Sequence, residues 1–285
     1  MEQVDRQLFG AGIKLAESLL ERFKRERIEP KNAHQEVLLF FFRKAHRTFR
    51  AVELLWRNEY SEDAYTLARS IYEIRLQSIY IGGDPPKRSK QFMDHFFKAG
   101  LGTLQIIKRH FPNERKLHEW EANLRKAAGQ ERVALLNDPI DAERATKKKW
   151  WGSGIKQLLE KLDADRERQL ELEGLKPLTS HEKDELDAER KRRNLFQREY
   201  EVIYHQLSDV AHSGPLHMHR YTKPSRSRAE ASRPTVPWSS FDWLSQIIGW
   251  TARAFEMNFD DAVDRAQRKA RETLLKKPKE TTSTI

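Results

Sequence analysis

Ser61-Glu62-Asp63-Ala64-Tyr65-Thr66-Leu67-Ala68-Arg69-Ser70-Ile71-Tyr72-Glu73 reads as a helix with polar residues on a face that should be buried, and it stops at Gly82-Gly83. A second stretch, Tyr200-Glu201-Val202-Ile203-Tyr204-His205-Gln206-Leu207-Ser208-Asp209-Val210-Ala211-His212, has the same character and stops at Gly214-Pro215. Residues four apart share one helix face, so Arg69 pairs in space with Glu73, and Tyr204, Ser208 and His212 form one row. If the two faces meet, the interior holds an Arg-Glu-Tyr-Ser-His cluster. Burying charge is costly unless it is paired, so such a cluster needs either a chemical or a packing reason.

Helical periodicity continues outward from these stretches. Leu8, Ile13, Leu15, Leu19 and Phe23 form an amphipathic stripe over about Glu2 to Arg27. Pro30 separates it from a helix over Ala33 to Asn58. Ser61 is suited to cap the next helix, with Glu62 and Asp63 in its first turn. After the break at Gly82-Gly83-Asp84-Pro85-Pro86, a fourth helix is expected to Phe111 and a fifth over Glu114 to Leu136. A short helix is expected over Ile155 to Leu162, a capping box at Thr179-Ser180-His181-Glu182, and a long helix from there to His212. Ser239-Ser240-Phe241-Asp242 is expected to cap one last helix reaching residues 274–276.

Strand signals are absent, and the fold class expected is all-α: a single bundle of long antiparallel helices with a charged helical arm and a long loop before the last helix. One domain is expected over residues 1–276, with the arm at 163–193, the loop at 213–237 and a disordered tail at 277–285. Long antiparallel helices with large apolar faces often pair with a copy of themselves, so a homodimer is expected.

Composition narrows the function classes. The 285 residues include no cysteine, which excludes a disulfide framework, thiolate catalysis and cysteine-ligated zinc, and suits a cytoplasmic protein. The longest apolar run, Val37 to Phe42, is too short to cross a bilayer, and the charged N-terminus has no signal-peptide pattern. A net charge of +10 attracts polyanions, so nucleic acid is the expected partner, with a protein partner as the alternative. No Walker loop, Gly-x-Gly-x-x-Gly, His-Glu-x-x-His or nucleophile elbow is present, and no cofactor is expected.

The pieces Ala64 to Glu73, Tyr80-Ile81 with a Gly-Asp-Pro break, Lys149-Trp150-Trp151-Gly152, and Tyr200-x-x-x-Tyr204-x-x-x-Ser208-x-x-x-His212 stand in an order and spacing that resemble the bacterial all-helical family labelled domain of unknown function 5677. The resemblance spans Ala33 to Phe259 and implies an all-helical fold. Families of this general shape are similar to helical ribonuclease and toxin domains of bacterial antiviral defence and toxin–antitoxin systems, an analogy at the level of fold.

Two readings of the polar cluster follow. In the first, the protein is a metal-independent ribonuclease or toxin-like effector: His212 or His205 transfers a proton, Arg69 holds an anionic transition state, Glu73 orients them, and Tyr204 and Ser208 donate hydrogen bonds to substrate. In the second, the cluster is an interhelical network that sets packing register, and the protein is a non-enzymatic binding module. Arg198 with His205 fits an arginine–histidine pattern of helical ribonucleases, but so do Arg27 with His34 and Arg88 with His95. His212, His217 and His219 are more simply loop histidines than a metal site, and no metal ligand is assigned. Lys147-Lys148-Lys149-Trp150-Trp151 puts three cations beside two aromatics, a combination that clamps phosphates and stacks on bases, although tryptophans in such a loop more often anchor it to the core than stack on bases. Arg220, Lys223 and Arg226 stud the loop beyond His212. With Arg198, these are the candidate nucleic-acid contacts.

Overall fold

The computed structural model describes residues 3–112, 116–132, 150, 154–172, 196–197, 199–200 and 235–275. Among them are eight α-helices, one 3₁₀ turn and no strand, so the fold class is all-α. The helices are α1 (Gln3–Arg25), α2 (Ala33–Arg57), α3 (Ser61–Gly82), α4 (Pro85–His110), α5 (Lys116–Ala128), α6 (Ile155–Leu172), α7 (Thr235–Ala254) and α8 (Asp260–Leu275). The chain divides into two compact units, one of residues 1–79 and 198–285, the other of residues 80–197.

In the first unit α7 is the central helix, because α1, α2 and α8 all pack on it. Its buried residues Phe241, Trp243, Leu244, Ile247, Ile248 and Ala252 face more than one neighbour, as an apolar circumference requires. Helix directions follow from paired contacts. Asp5 accepts from the Trp56 indole at 2.9 Å and Phe9 packs on Phe49 at 5.4 Å, so α1 and α2 are antiparallel. Gln35 donates to the Ala254 carbonyl at 2.9 Å and Leu38 lies beside Thr251, so α2 and α7 are antiparallel too. α1 therefore runs parallel to α7. A Cβ on Gly12 would stand 2.7 Å from the Phe49 ring and 3.3 Å from Phe241, so glycine permits the close approach of these three helices.

Three helix ends use one device that the sequence reading missed. At the ends of α1, α2 and α7, Arg27, Glu59 and Glu256 have φ of 50°, 67° and 56°. Ile28 N–H then reaches the Phe23 carbonyl, Tyr60 N–H that of Leu55 and Met257 N–H that of Ala252, at 3.0, 2.9 and 2.9 Å. These are Schellman ends with a side-chain-bearing residue where glycine is usual. The third splits the expected last helix into α7 and α8. That helix also starts earlier than expected, at Thr235, inside the expected 213–237 loop. Pro237 sits in its first turn, where a missing N–H does no harm, and Ser240 is buried within the helix rather than capping it.

Other boundaries also move. α3 begins at Ser61 itself, with the Tyr60 carbonyl accepting from Ala64 N–H, so Ser61 is the first helical residue rather than the cap. Asn32 caps α2, its side chain accepting from Gln35 N–H at 2.9 Å. α5 ends at Ala128, short of the expected Leu136, because Gly129 takes φ 73°.

In the second unit α4 and α5 form an antiparallel hairpin. Leu124 lies where a Gly100 side chain would go, and Lys108 pairs with Glu121 at 2.6 Å. Arg132 binds Asp94 at 3.1 Å and covers the Phe97 ring. α6 runs to Leu172, well past the expected end at Leu162. Asp163, at the start of the expected charged arm, is buried and accepts the Phe196 and Gln197 N–H groups at 3.1 and 3.3 Å. Burial raises its carboxyl above the ordinary value, against the pull of those N–H groups and of Arg166.

Candidate functional site

Helix α3 holds the two described members of the expected cluster. Arg69 Nε donates to Glu73 Oε1 at 3.1 Å, the i,i+4 pair that the spacing predicts, and both side chains are about one-third exposed or less (25% and 37%). Tyr204, Ser208, His212, His205 and Arg198 lie outside the described residues, as do Lys147, Lys148, Lys149, Arg220, Lys223 and Arg226. Trp150 is described: its ring packs on Tyr80 at 5.4 Å and edge-on to Phe92 at 5.3 Å, a setting that holds the indole against the second unit.

The polar centre that α3 builds in the first unit lies one turn further on. Arg75 Nη1 donates to both carboxylate oxygens of Glu199, at 3.0 and 2.9 Å, and Arg75 Nε donates to Gln246 Oε1 at 2.8 Å. Gln246 passes the chain on to Asp242 Oδ2 at 2.7 Å. Gln267 of α8 donates to Ser245 Oγ at 2.8 Å, and Ser245 donates to the Asp242 carbonyl at 2.8 Å. Tyr72 lies between Tyr200 and Trp243, at 6.5 and 5.0 Å, under the Arg75 guanidinium. Thus α3 meets the beginning of the Tyr200 stretch through Tyr72 and Arg75.

Electrostatics suit a network whose members satisfy one another. Burial raises the Asp242 carboxyl above its ordinary range, while Arg75, the Gln246 amide and Arg271 pull it back. Arg75 is 11% exposed and Glu199 23%, so their attraction is screened less than that of a surface pair. The sequence signal for this centre was present but weaker: Arg75 stands among the buried residues Tyr72, Ile74 and Leu76, and Asp242 between Phe241 and Trp243. A charged residue inside an apolar run predicts a partner, but it does not say which one.

The second unit holds a separate polar centre. Arg88 makes a two-pronged contact with Asp165, at 2.5 and 3.0 Å, donates to the Tyr80 carbonyl at 2.6 Å, and lies 4.0 Å over the Tyr80 ring. Burial opposes its charge, yet the Asp165 hydrogen bond and the charges of Asp165, Tyr80 and Asp84 outweigh burial and raise the guanidinium above its ordinary value. A Cβ on Gly83 would lie 2.5 Å from Arg88 Nη1 and 3.0 Å from Asp165 Oδ2. Arg88 is thus bound up in structure, and Arg27 occupies the α1 end rather than a helix face shared with His34. Two of the three arginine–histidine matches therefore have structural explanations. No group of three or more His, Asp or Glu that could hold a metal occurs among the described residues. None of their helices is long and apolar enough to cross a membrane.

The family profile matches residues 35–229. The chain belongs to DUF5677, a family of unknown function. The matched range of DUF5677 takes in most of α2, all of α3 to α6 and both quoted polar stretches, while α1, α7 and α8 fall outside it. No curated protein and no solved structure matches the chain.

Proposed function

We propose that the protein is a non-enzymatic helical module that binds nucleic acid, and that the polar cluster on α3 serves packing register rather than chemistry. What supports this reading is the state of the guanidinium groups. Arg69 has Glu73 as its partner, and Arg75 has Glu199 and Gln246. An arginine meant to receive a phosphate or an anionic transition state is best left with an open fork, whereas these already hold carboxylates. The net charge of +10 supports a polyanionic partner.

The test mixes the purified full chain with labelled RNA and DNA and reads both retention and cleavage, beside His212→Ala and Arg69→Ala. Binding without cleavage, unchanged in both variants, is the expected result. Cleavage that disappears in His212→Ala at an unaltered melting temperature would overturn this reading in favour of a ribonuclease.

A further inference from the structure

Helix α2 turns its apolar side to α1 and α7 and leaves one polar stripe outside. Glu36, Phe40, Arg43, Lys44, Arg47, Arg50, Leu54 and Arg57 are its exposed positions, spaced by three or four residues apart from the adjacent Arg43 and Lys44. Arg57 shares its charge with Glu53 at 3.7 Å. Arg43, Lys44, Arg47 and Arg50 are in no ion pair among the described residues. Helix α8 is the contrast: its exposed Arg265, Arg268, Lys269 and Arg271 alternate with exposed Asp261, Asp264 and Glu272. The sequence reading placed the basic contacts in loops and overlooked α2, because its cations are spread through an apolar sequence and converge only when the helix is wound.

We infer that this α2 stripe is a docking face for the phosphate backbone of a double-helical nucleic acid. The inference rests on the nucleic-acid reading above and names the surface that carries it. These four cations, spread over the eight residues from Arg43 to Arg50 of a rigid helix, cover about 10 Å, the axial length of about three phosphates along one strand of a duplex. Three of the four are arginines, whose forks match phosphate oxygens. A single strand is usually held by stacking its bases on aromatic rings, and the stripe exposes only Phe40, itself leaning on Phe41 at 5.8 Å. A membrane surface fits less well, because an interfacial helix offers its apolar face to lipid, and here α1 and α7 occupy that face.

The test compares wild type, the triple variant Arg43→Gln/Arg47→Gln/Arg50→Gln, and a matched triple Arg265→Gln/Arg268→Gln/Lys269→Gln that removes the same charge from exposed positions of α8. Binding to a short duplex DNA, a duplex RNA and a single strand is followed by fluorescence anisotropy from about 50 to about 200 mM salt. Circular dichroism confirms that each variant is folded. The α2 triple should bind the duplexes at least about tenfold more weakly and flatten the plot of log affinity against log salt by about 2.7, at about 0.9 per phosphate contact. The α8 triple should stay close to wild type, and a preference for one duplex type identifies the source of the backbone. Equal losses in both triples would overturn the inference, as bulk charge would then explain binding. So would undiminished duplex binding by the folded α2 triple, which leaves the nucleic-acid reading standing. Failure of wild type to bind any of the probes would remove both.

Discussion

Replacing Arg75 by alanine should be among the most damaging single changes in the first unit. The guanidinium makes one charge-assisted contact shared by the two Glu199 oxygens and another to Gln246, each of a type worth about 1.5–3 kcal/mol. It also lowers the cost of burying Asp242. Removing it leaves Glu199 without its cation in a setting where that side chain is only 23% exposed. For a fully buried pair such a loss is about 3–5 kcal/mol. Discounting for the remaining solvent contact gives about 2–4 kcal/mol, a large share of the 5–15 kcal/mol that is typical of a folded domain. Urea unfolding of wild type, Arg75→Ala, Glu199→Ala and the double variant forms a thermodynamic cycle, and its coupling should be at least about 1 kcal/mol. Glu199→Ala alone should cost less than Arg75→Ala, because Gln246 and Asp242 keep their cation. A cost below about 0.5 kcal/mol for Arg75→Ala, with no coupling, would mean that the pair behaves as a surface ion pair and that the register role assigned to the network is wrong.

Adjacent glycines should respond in opposite ways: Gly83→Ala pushes a methyl group into the Arg88–Asp165 contact and should lower stability by about 1–3 kcal/mol, while a Cβ on Gly82 meets nothing within 4 Å, so Gly82→Ala should be neutral or stabilising in the same thermal melts. Glycine at the left-handed helix ends should help rather than harm, with Glu59→Gly and Glu256→Gly each raising stability by about 0.5–1 kcal/mol, whereas Lys44→Gly within exposed α2 should cost about 1 kcal/mol by denaturant midpoint. Burial, assisted by Arg50 and opposed by Glu17, lowers the pKa of His46 below the 6.5 of the unfolded chain. The unfolded chain therefore takes up a proton that the native state resists. Stability should hold above pH 6.5 and fall as pH drops from there toward the native value, with His34, also lowered by burial, acting in the same sense. His46→Leu should flatten that decline in urea melts taken across the range, and a slope identical to wild type would refute the assignment.

Much of the fold was legible because helical periodicity is a local property. The α1 and α2 stripes, the break at Gly82 to Pro86 and the Arg69–Glu73 pair all follow from residues within a few turns of one another. Helix ends were read less well where they departed from the usual chemistry. Glu256 does the work of a glycine, and Pro237 sits inside a helix rather than before it, because packing of α7 among its neighbours compensates for weak local preference. The candidate site was legible in one half only: spacing identified Arg69 with Glu73, but no spacing rule links Arg75 to Glu199, which stand 124 residues apart in the chain.

By itself, the order of residues determined the helical class, the excess of positive charge and the i,i+4 partners, since each depends on composition or on contacts within a few residues. Only the tertiary structure decided which charges are tied to carboxylates from distant parts of the chain. It ties Arg75 to Glu199 and Arg88 to Asp165, while Arg43, Lys44, Arg47 and Arg50 are in no ion pair among the described residues, because an arginine's role depends on the carboxylate that folding brings to it from a distant part of the chain.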